Sequence, residues 1–214
     1  MQLFLVRHGQ TEWNQAGRAQ GHTDIPLDET GIAQADALAR DWRFGPVDRV
    51  LSSDLQRSLA TAQRLAESLG RTVEVDPRLR ETSFGEWEGE NYRTVRQRLL
   101  ELAQSLDLDE WTVHAPGGES RLQVWDRLGA VAEYFATLKG SVVVVGHGGA
   151  LTLLLARLLD GNPGTARSLV FSNTGITELR ARTDGGWRMV RYNDMAHWDQ
   201  PSAPMVDTGA PTAR

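Results

Sequence analysis

LFLVRHGQTEWN, residues 3–14, runs four apolar residues straight into Arg7 and His8 and then a glycine. A short, continuous apolar run that ends at a turn residue is the pattern of a strand buried on both faces of a parallel sheet. An arginine directly after such a strand must reach an anionic partner or water, because an unpaired buried charge is very costly. The stretch therefore raises two linked questions: which sheet holds the strand, and what the two side chains at its end bind.

Working outward, Ser141 to Val145 repeats the pattern, and Val47 to Leu51 and Thr72 to Val75 are weaker versions of it. Between them, Ile32, Ala35, Leu38, Ala39 and Trp42 recur at helical spacing, as do Leu55, Leu59, Ala62, Leu65, Ala66 and Leu69. Strand, helix, strand, helix, strand implies βαβ units with right-handed crossovers. The expected class is α/β, a three-layer α/β/α sandwich on a mostly parallel central sheet.

Thr82 to Gly140 is longer than a crossover needs. It holds two helical segments, about Tyr92 to Leu106 and Ser120 to Leu138, the second opening on SRLQ with capping-box spacing between Ser120 and Gln123. A helical cap over residues 82–140, between the third and fourth core strands, is expected, with a plain helical layer as the alternative. After His147 come a helix through Leu151 to Leu159 and a hairpin, Thr177 to Arg182 and Trp187 to Tyr192, joined through TDGG. Residues 1–192 read as one domain. From Asn193 onward Pro, Ser, Thr and Gly dominate, so 193–214 is expected to be a mobile tail.

The chain has 214 residues, 23 basic and 28 acidic, for a formal charge of −5, and Lys139 is the only lysine. Nothing here suggests a basic surface for nucleic acid or an anionic membrane. A small anionic substrate needs a local cationic pocket instead. The absence of cysteine excludes disulfides, thiolate nucleophiles and Cys-type zinc sites. Arg7 follows too few apolar residues for a signal peptide, and no run approaches the roughly 18 apolar residues of a spanning helix, so a soluble, cytoplasmic protein is expected.

The strand ends carry the charged residues. The first ends at Arg7 and His8; the second enters SSDLQRSLATA, placing Arg57 in the first turn of the next helix. The third is followed by RLRETSFGEWEG with Glu81, and the fourth runs VVVVGHGG into His147. In an open parallel sheet ligands bind outside the carboxyl ends of the strands, so these five side chains are expected to share one crevice. Gly9, Gly146, Gly148 and Gly149 let backbone N–H groups approach an anion, and a helix starting after His147 adds its positive end. Such a pocket suits a phosphoryl group. The arginines lower the pKa of His8 and so favour the neutral ring a nucleophile needs. Two guanidiniums and His147 can stand in for a metal ion, so no metal or other cofactor is expected. Two alternatives compete with this reading: a zinc site from His8, His22, His147 and Asp24, which lacks metal-ligand spacing, and a salt bridge from Glu81 to Arg78 or Arg80.

The ordered set RHGQT, SSDLQRSLATA, LRETSFGEWEG and GHGG resembles the histidine phosphatase superfamily, also called phosphoglycerate-mutase-like. The resemblance covers residues 2 to about 192 and includes GHTDIPLDETG (21–31) and APGGES (115–120). It implies that His8 becomes phosphorylated, that Arg7, Arg57 and His147 hold the phosphate, and that Glu81 is proton donor and then base. Asn14, Gln20, Gly21 and Gly148 are implied as further phosphate or substrate contacts. The family's cofactor-dependent mutases follow this glutamate with a basic and aromatic run that helps hold a second phosphate. Here Thr82, Ser83, Phe84, Gly85 and the acidic Glu86 and Glu88 follow instead, which favours the phosphatase branch over a 2,3-bisphosphoglycerate-dependent mutase. A non-catalytic binding protein is disfavoured because every core residue is present. The implied partners are a small phosphorylated metabolite and inorganic phosphate as product, with monomer, homodimer and tetramer all open. Trp87, Tyr92, Arg93, Trp111, His114 and Trp125 are candidate cap contacts, His22 is a candidate for reaching substrate or covering the site, and Arg93, Arg96 and Arg98 could meet a carboxylate or form a wet helix face.

Overall fold

The computed structural model describes residues 1–198. Strand β1 (Gln2–Arg7) lies inside the sheet, with Leu3 to Val6 fully buried. Its two faces follow the alternation of a strand. Leu3 and Leu5 join a core cluster on one side, and Phe4 and Val6 join another on the opposite side. A four-residue helix, α1 (Glu12–Gln15), follows, closed by a capping box between Thr11 and Asn14. Next come α2 (Glu29–Arg40), β2 (Arg49–Ser52), α3 (Gln56–Ser68) and β3 (Val73–Val75). The chain continues with α4 (Tyr92–Leu106), α5 (Arg121–Thr137), β4 (Ser141–Gly146) and α6 (Gly148–Leu158), and ends in the hairpin β5 (Ile176–Ala181) and β6 (Trp187–Asp194).

The six strands form one sheet in the order β3-β2-β4-β1-β5-β6. The first four are parallel, whereas β5 and β6 add an antiparallel edge. Phe4 and Val6 pack with Leu38 of α2 and Ala62 and Leu65 of α3; Leu3 and Leu5 pack with Val124 and Leu128 of α5 and Leu151 and Leu154 of α6. The result is the expected three-layer sandwich. Its register places the site: Arg7 pairs with Gly146, and Ser52 with Val145, so the next residues, His8, His147 and Ser53, emerge side by side at one edge.

Several expectations are corrected. The capping box at Ser120 and Gln123 forms, but α5 belongs to the helical layer against the sheet. The cap is thus the shorter stretch ahead of it, built on α4. The buried face of α2 is Gly31, Gln34, Ala35, Ala37 and Leu38, and Ile32 is 38% exposed. Trp42 lies beyond that helix and meets Phe4 edge-on at 5.1 Å. The expected tail does not begin at Asn193: β6 runs to Asp194, and His197 is 6% exposed with Nε2 3.0 Å from Thr174 Oγ1. The remainder of that tail, residues 199–214, lies outside the described residues. Among the described residues no helix is long and apolar enough to cross a membrane.

The start of α2 is pressed against the loop that carries His8. Asp28 Oδ1 caps the helix through Gly31 N at 2.7 Å, and a Cβ on Gly31 would lie 2.0 Å from Gln10 O. Because a methyl group there must push backbone aside, Gly31→Ala is expected to cost about 1–3 kcal/mol. A denaturant midpoint unchanged from wild type would refute this close contact.

Candidate active site

His8 is buried and held on three sides. Its N–H donates to Gly146 O at 2.9 Å, and its carbonyl accepts from Asn173 Nδ2 at 2.9 Å. Its Nδ1 lies 2.6 Å from Gly9 O. A carbonyl can only accept, so the ring proton sits on Nδ1 and the lone pair on Nε2. Burial, then Arg57 and then Arg7, holds the His8 pKa well below that of a free imidazole, against the opposing bond to Gly9.

Behind His8 lies a second neutral histidine. The His147 ring centroid is 5.1 Å from that of His8. Arg57 Nε donates to His147 Nδ1 at 3.2 Å, so His147 carries its proton on Nε2, which faces Ser53 Oγ at 2.6 Å. Burial first, and Arg57 after it, depresses the His147 pKa well below the ordinary value. Arg57 itself is 0% exposed and pairs with no carboxylate among the described residues. Two further donors go to Gly21 O (2.7 Å) and Thr23 O (3.1 Å), and burial brings its pKa down to about 10.

Glu81 sits on the start of α6. Its Oε2 accepts from Gly149 N at 2.8 Å, and its Oε1 from Ala150 N at 2.8 Å and Thr82 N at 2.9 Å. The helix end expected to face an anion is thus capped by this carboxylate. The salt bridge to Arg78 or Arg80 does not form, because Arg78 pairs with Asp76 and Arg80 with Asp54. The Glu81 carbonyl is clamped by Arg127 Nη2 at 2.9 Å and by His22 Nε2 at 2.9 Å. Arg127 is in turn fixed by Glu119. His22 therefore supports Glu81 and does not line the cavity.

A cavity of about 190 Å³ opens between these strand ends and the cap. Its wall includes Arg7, His8, Asn14, Gln20, Glu81 and Gly148. Arg57, His147 and Gly21 stand one layer behind that wall, which corrects the expectation that they line it. Gly21 offers its carbonyl to Arg57, and a Cβ there would lie 2.1 Å from Glu88 Oε1. Asn14 Nδ2 and Thr11 Oγ1 both donate to Gln20 Oε1, at 3.2 and 2.9 Å, which points the amide nitrogen of Gln20 the other way. Arg7 Nη1 donates to Phe171 O at 2.8 Å. Arg7 Nε and Gln20 Nε2 are among the buried donors of the wall that have no partner among the described residues. An orphaned buried donor costs about 1–3 kcal/mol, and an anionic oxygen would relieve both. His8, His22, His147 and Asp24 do not meet as ligands: Asp24 binds Gln56, and among the described residues no group of three or more His, Asp or Glu could hold a metal ion.

Of the cap candidates, Tyr92 lines the cavity. Trp87 packs beside Arg98, Trp125 beneath Arg157, and Arg93 is exposed. His114 Nδ1 turns to Ala115 O at 2.9 Å. Ser53 and Asn173 were missed. Ser53 stood in the SSDLQR run, whereas nothing in the sequence tied Asn173 to His8.

A mostly parallel sheet that gathers two neutral histidines, two arginines and a glutamate at its carboxyl edge defines an α/β enzyme built to take an anionic group. The chain belongs to the histidine phosphatase superfamily (branch 1), whose family model matches residues 3–195. It is 32% identical over 208 residues to "Probable phosphoglycerate mutase GpmB" of Yersinia pestis, covering 94% of this chain and 97% of that one. Among solved structures it is similar to a mycobacterial glucosyl-3-phosphoglycerate phosphatase (35% identity, TM-score 0.76, 90% and 98% of the two chains). It is also similar to the α-ribazole phosphatase of Shigella flexneri (27% identity, TM-score 0.78, 91% and 97%).

The depressed histidines make stability depend on pH. Below about 6.5 the unfolded chain takes up protons that the native His8 and His147 decline, so stability is expected to fall as the pH drops from about 6.5 toward the native values. NMR titration should show both imidazoles neutral at pH 6, and Arg57→Met should raise the His8 pKa while burial keeps it below that of free imidazole. Protonation of His8 near pH 6.5 in the wild type would contradict this electrostatic picture.

Proposed function

We propose that the protein hydrolyses a small, polar phosphomonoester through a phosphohistidine on His8, without a metal, in the cytoplasm. The observation that carries this reading is the His8 tautomer: Nδ1–H is spent on Gly9 O, which leaves the Nε2 lone pair in a cavity that also holds the unpartnered Arg7 Nε and Gln20 Nε2. Nε2 attacks phosphorus, the P–O ester bond breaks, and the proton carried by the Glu81 carboxyl goes to the departing alkoxide. A water then attacks phosphorus, Glu81 takes its proton, and the N–P bond breaks to return His8 and release inorganic phosphate. Arg7 holds the phosphoryl oxygens, while Arg57, steadied by its bond to the neutral His147, supplies positive charge from behind. Asn14, Gln20 and Gly148 shape the cradle.

The name of the Yersinia relative favours a second reading, a mutase that returns the phosphate to a bound sugar acid. The segment after Glu81 supports hydrolysis over it. Glu88 accepts from the backbone of His22 (2.8 Å), Thr23 (2.6 Å) and Phe84 (3.0 Å), Glu86 is exposed, and no basic side chain from residues 82–89 enters the cavity. Phosphate release from a panel of monoesters in chelator should persist in the wild type and drop at least about a thousandfold in His8→Ala. Acid quenching should trap phosphate on the wild-type protein alone. Isomerisation of 3-phosphoglycerate that requires added 2,3-bisphosphoglycerate would replace hydrolysis with the mutase reading. Equal inactivity of both proteins across the panel would leave a binding protein.

A further inference from the structure

Two segments without a part in the chemistry meet behind the nucleophile. Strand β5 runs antiparallel to β1, with Val6 opposite Ile176, so the residues just before β5 lie beside those that end β1. Segment 171–174 thereby grips both Arg7 and His8. Phe171 O accepts from Arg7 Nη1 at 2.8 Å, Thr174 N donates to Arg7 O at 2.9 Å, and Asn173 Nδ2 donates to His8 O at 2.9 Å. The same Asn173 nitrogen reaches Asn14 Oδ1 at 3.3 Å. Asn173 and Thr174 are both buried.

The backbone that makes this grip is strained. Thr174 has φ +58°, in the left-handed region that a β-branched residue rarely enters. Such strain persists only where the surroundings over-determine it. Here Thr174 Oγ1 donates to Asn173 O at 2.7 Å and lies 3.0 Å from His197 Nε2. The hydroxyl proton is spent on the carbonyl, so His197 Nε2 carries the ring proton and donates. His197 belongs to the turn after β6, in which Ala196 N donates to Asp194 Oδ1 at 2.9 Å and Trp198 N to Met195 O at 2.8 Å. Asn193, at φ +48°, braces the segment as well, its Oδ1 accepting from Ser172 N at 2.9 Å.

What this grip controls is the His8–Gly9 peptide. Its oxygen is held by Asn173 and its N–H by Thr61 Oγ1 at 3.1 Å, and the next carbonyl, Gly9 O, keeps the ring proton on His8 Nδ1. Without the Asn173 donor the His8 carbonyl is buried and unpaired, and rotation of the peptide to relieve it carries Gly9 O away from Nδ1. The ring then loses the acceptor that selects its tautomer, and Nε2 takes up the proton in part of the molecules. We propose that Asn173 is a positioning residue for the nucleophile, keeping the Nε2 lone pair of His8 free by pinning the His8–Gly9 peptide, and that His197 locks it in place through Thr174. The inference rests on the reading of His8 as the nucleophile and gives the turn after β6 a task in the site.

The test reads the His8 tautomer by nitrogen NMR, beside kcat and KM for phosphate release and a thermal melt of each variant. Wild type is expected to carry the proton on Nδ1. Asn173→Leu keeps the branched shape and removes the donor, so it should populate the Nε2–H form and lower kcat at least about a hundredfold, with KM changed less than about threefold. His197→Leu should lower kcat about tenfold, whereas His197→Gln, which returns an N–H at that place, should stay within about threefold of wild type. Folded variants that melt earlier but keep the wild-type tautomer and kcat make the segment a structural brace only and overturn the proposal. A KM that rises at constant kcat in Asn173→Leu makes Asn173 a substrate contact and overturns it too. Should Asn173→Leu not fold, the His197 pair decides: a wild-type tautomer in His197→Leu, or equal losses in the Leu and Gln variants, overturns the proposal. If the tautomer shifts as expected while no protein, wild type included, releases phosphate, the positioning stands and the hydrolytic reading falls.

Discussion

A fully buried guanidinium without a carboxylate partner is the constraint on which the rest of this site depends. Removing an ion from water costs several kcal/mol even after relaxation, so every donor of Arg57 has to be used well. Three of them go to His147 Nδ1, Gly21 O and Thr23 O. The first sets the His147 tautomer and thereby the bond to Ser53. The other two pin the loop that follows Gln20. The unneutralised charge lies close enough to depress His8 as well. A carboxylate opposite Arg57 would have cancelled much of the charge that adds to burial in keeping the nucleophile neutral.

The same economy of acids recurs in the cap. Over the whole chain the formal charge is −5, yet the cavity wall is positive, because Glu110 and Glu119 are tied to arginines outside the substrate path and Glu81 is held by a helix end. Glu88 is likewise turned away, onto the backbone of residues 22, 23 and 84. Acidic residues here build loops, and cationic ones are left to face the ligand.

How much of this was legible in the sequence follows from the range of the forces involved. The parallel strands were readable because burial on both faces leaves a continuous apolar run, and the start of α5 because a capping box is a local bond between Ser120 and Gln123. The face of α2 was misjudged because tight contact with the His8 loop rotates Gly31 inward and Ile32 out. The role of His22 was hidden because its partner is a backbone carbonyl 59 residues away.

By itself the sequence determined the sheet's parallel core, the family, and the five charged residues at its carboxyl edge, because strand-end position in an open sheet places a side chain without reference to its neighbours. Tertiary structure alone decided which of them form the cavity wall and which stand behind it, where each ring proton sits, and that Glu81 rests on α6. Those outcomes depend on contacts between residues far apart in the chain and on the balance of burial against charge, which exists only once the layers have closed.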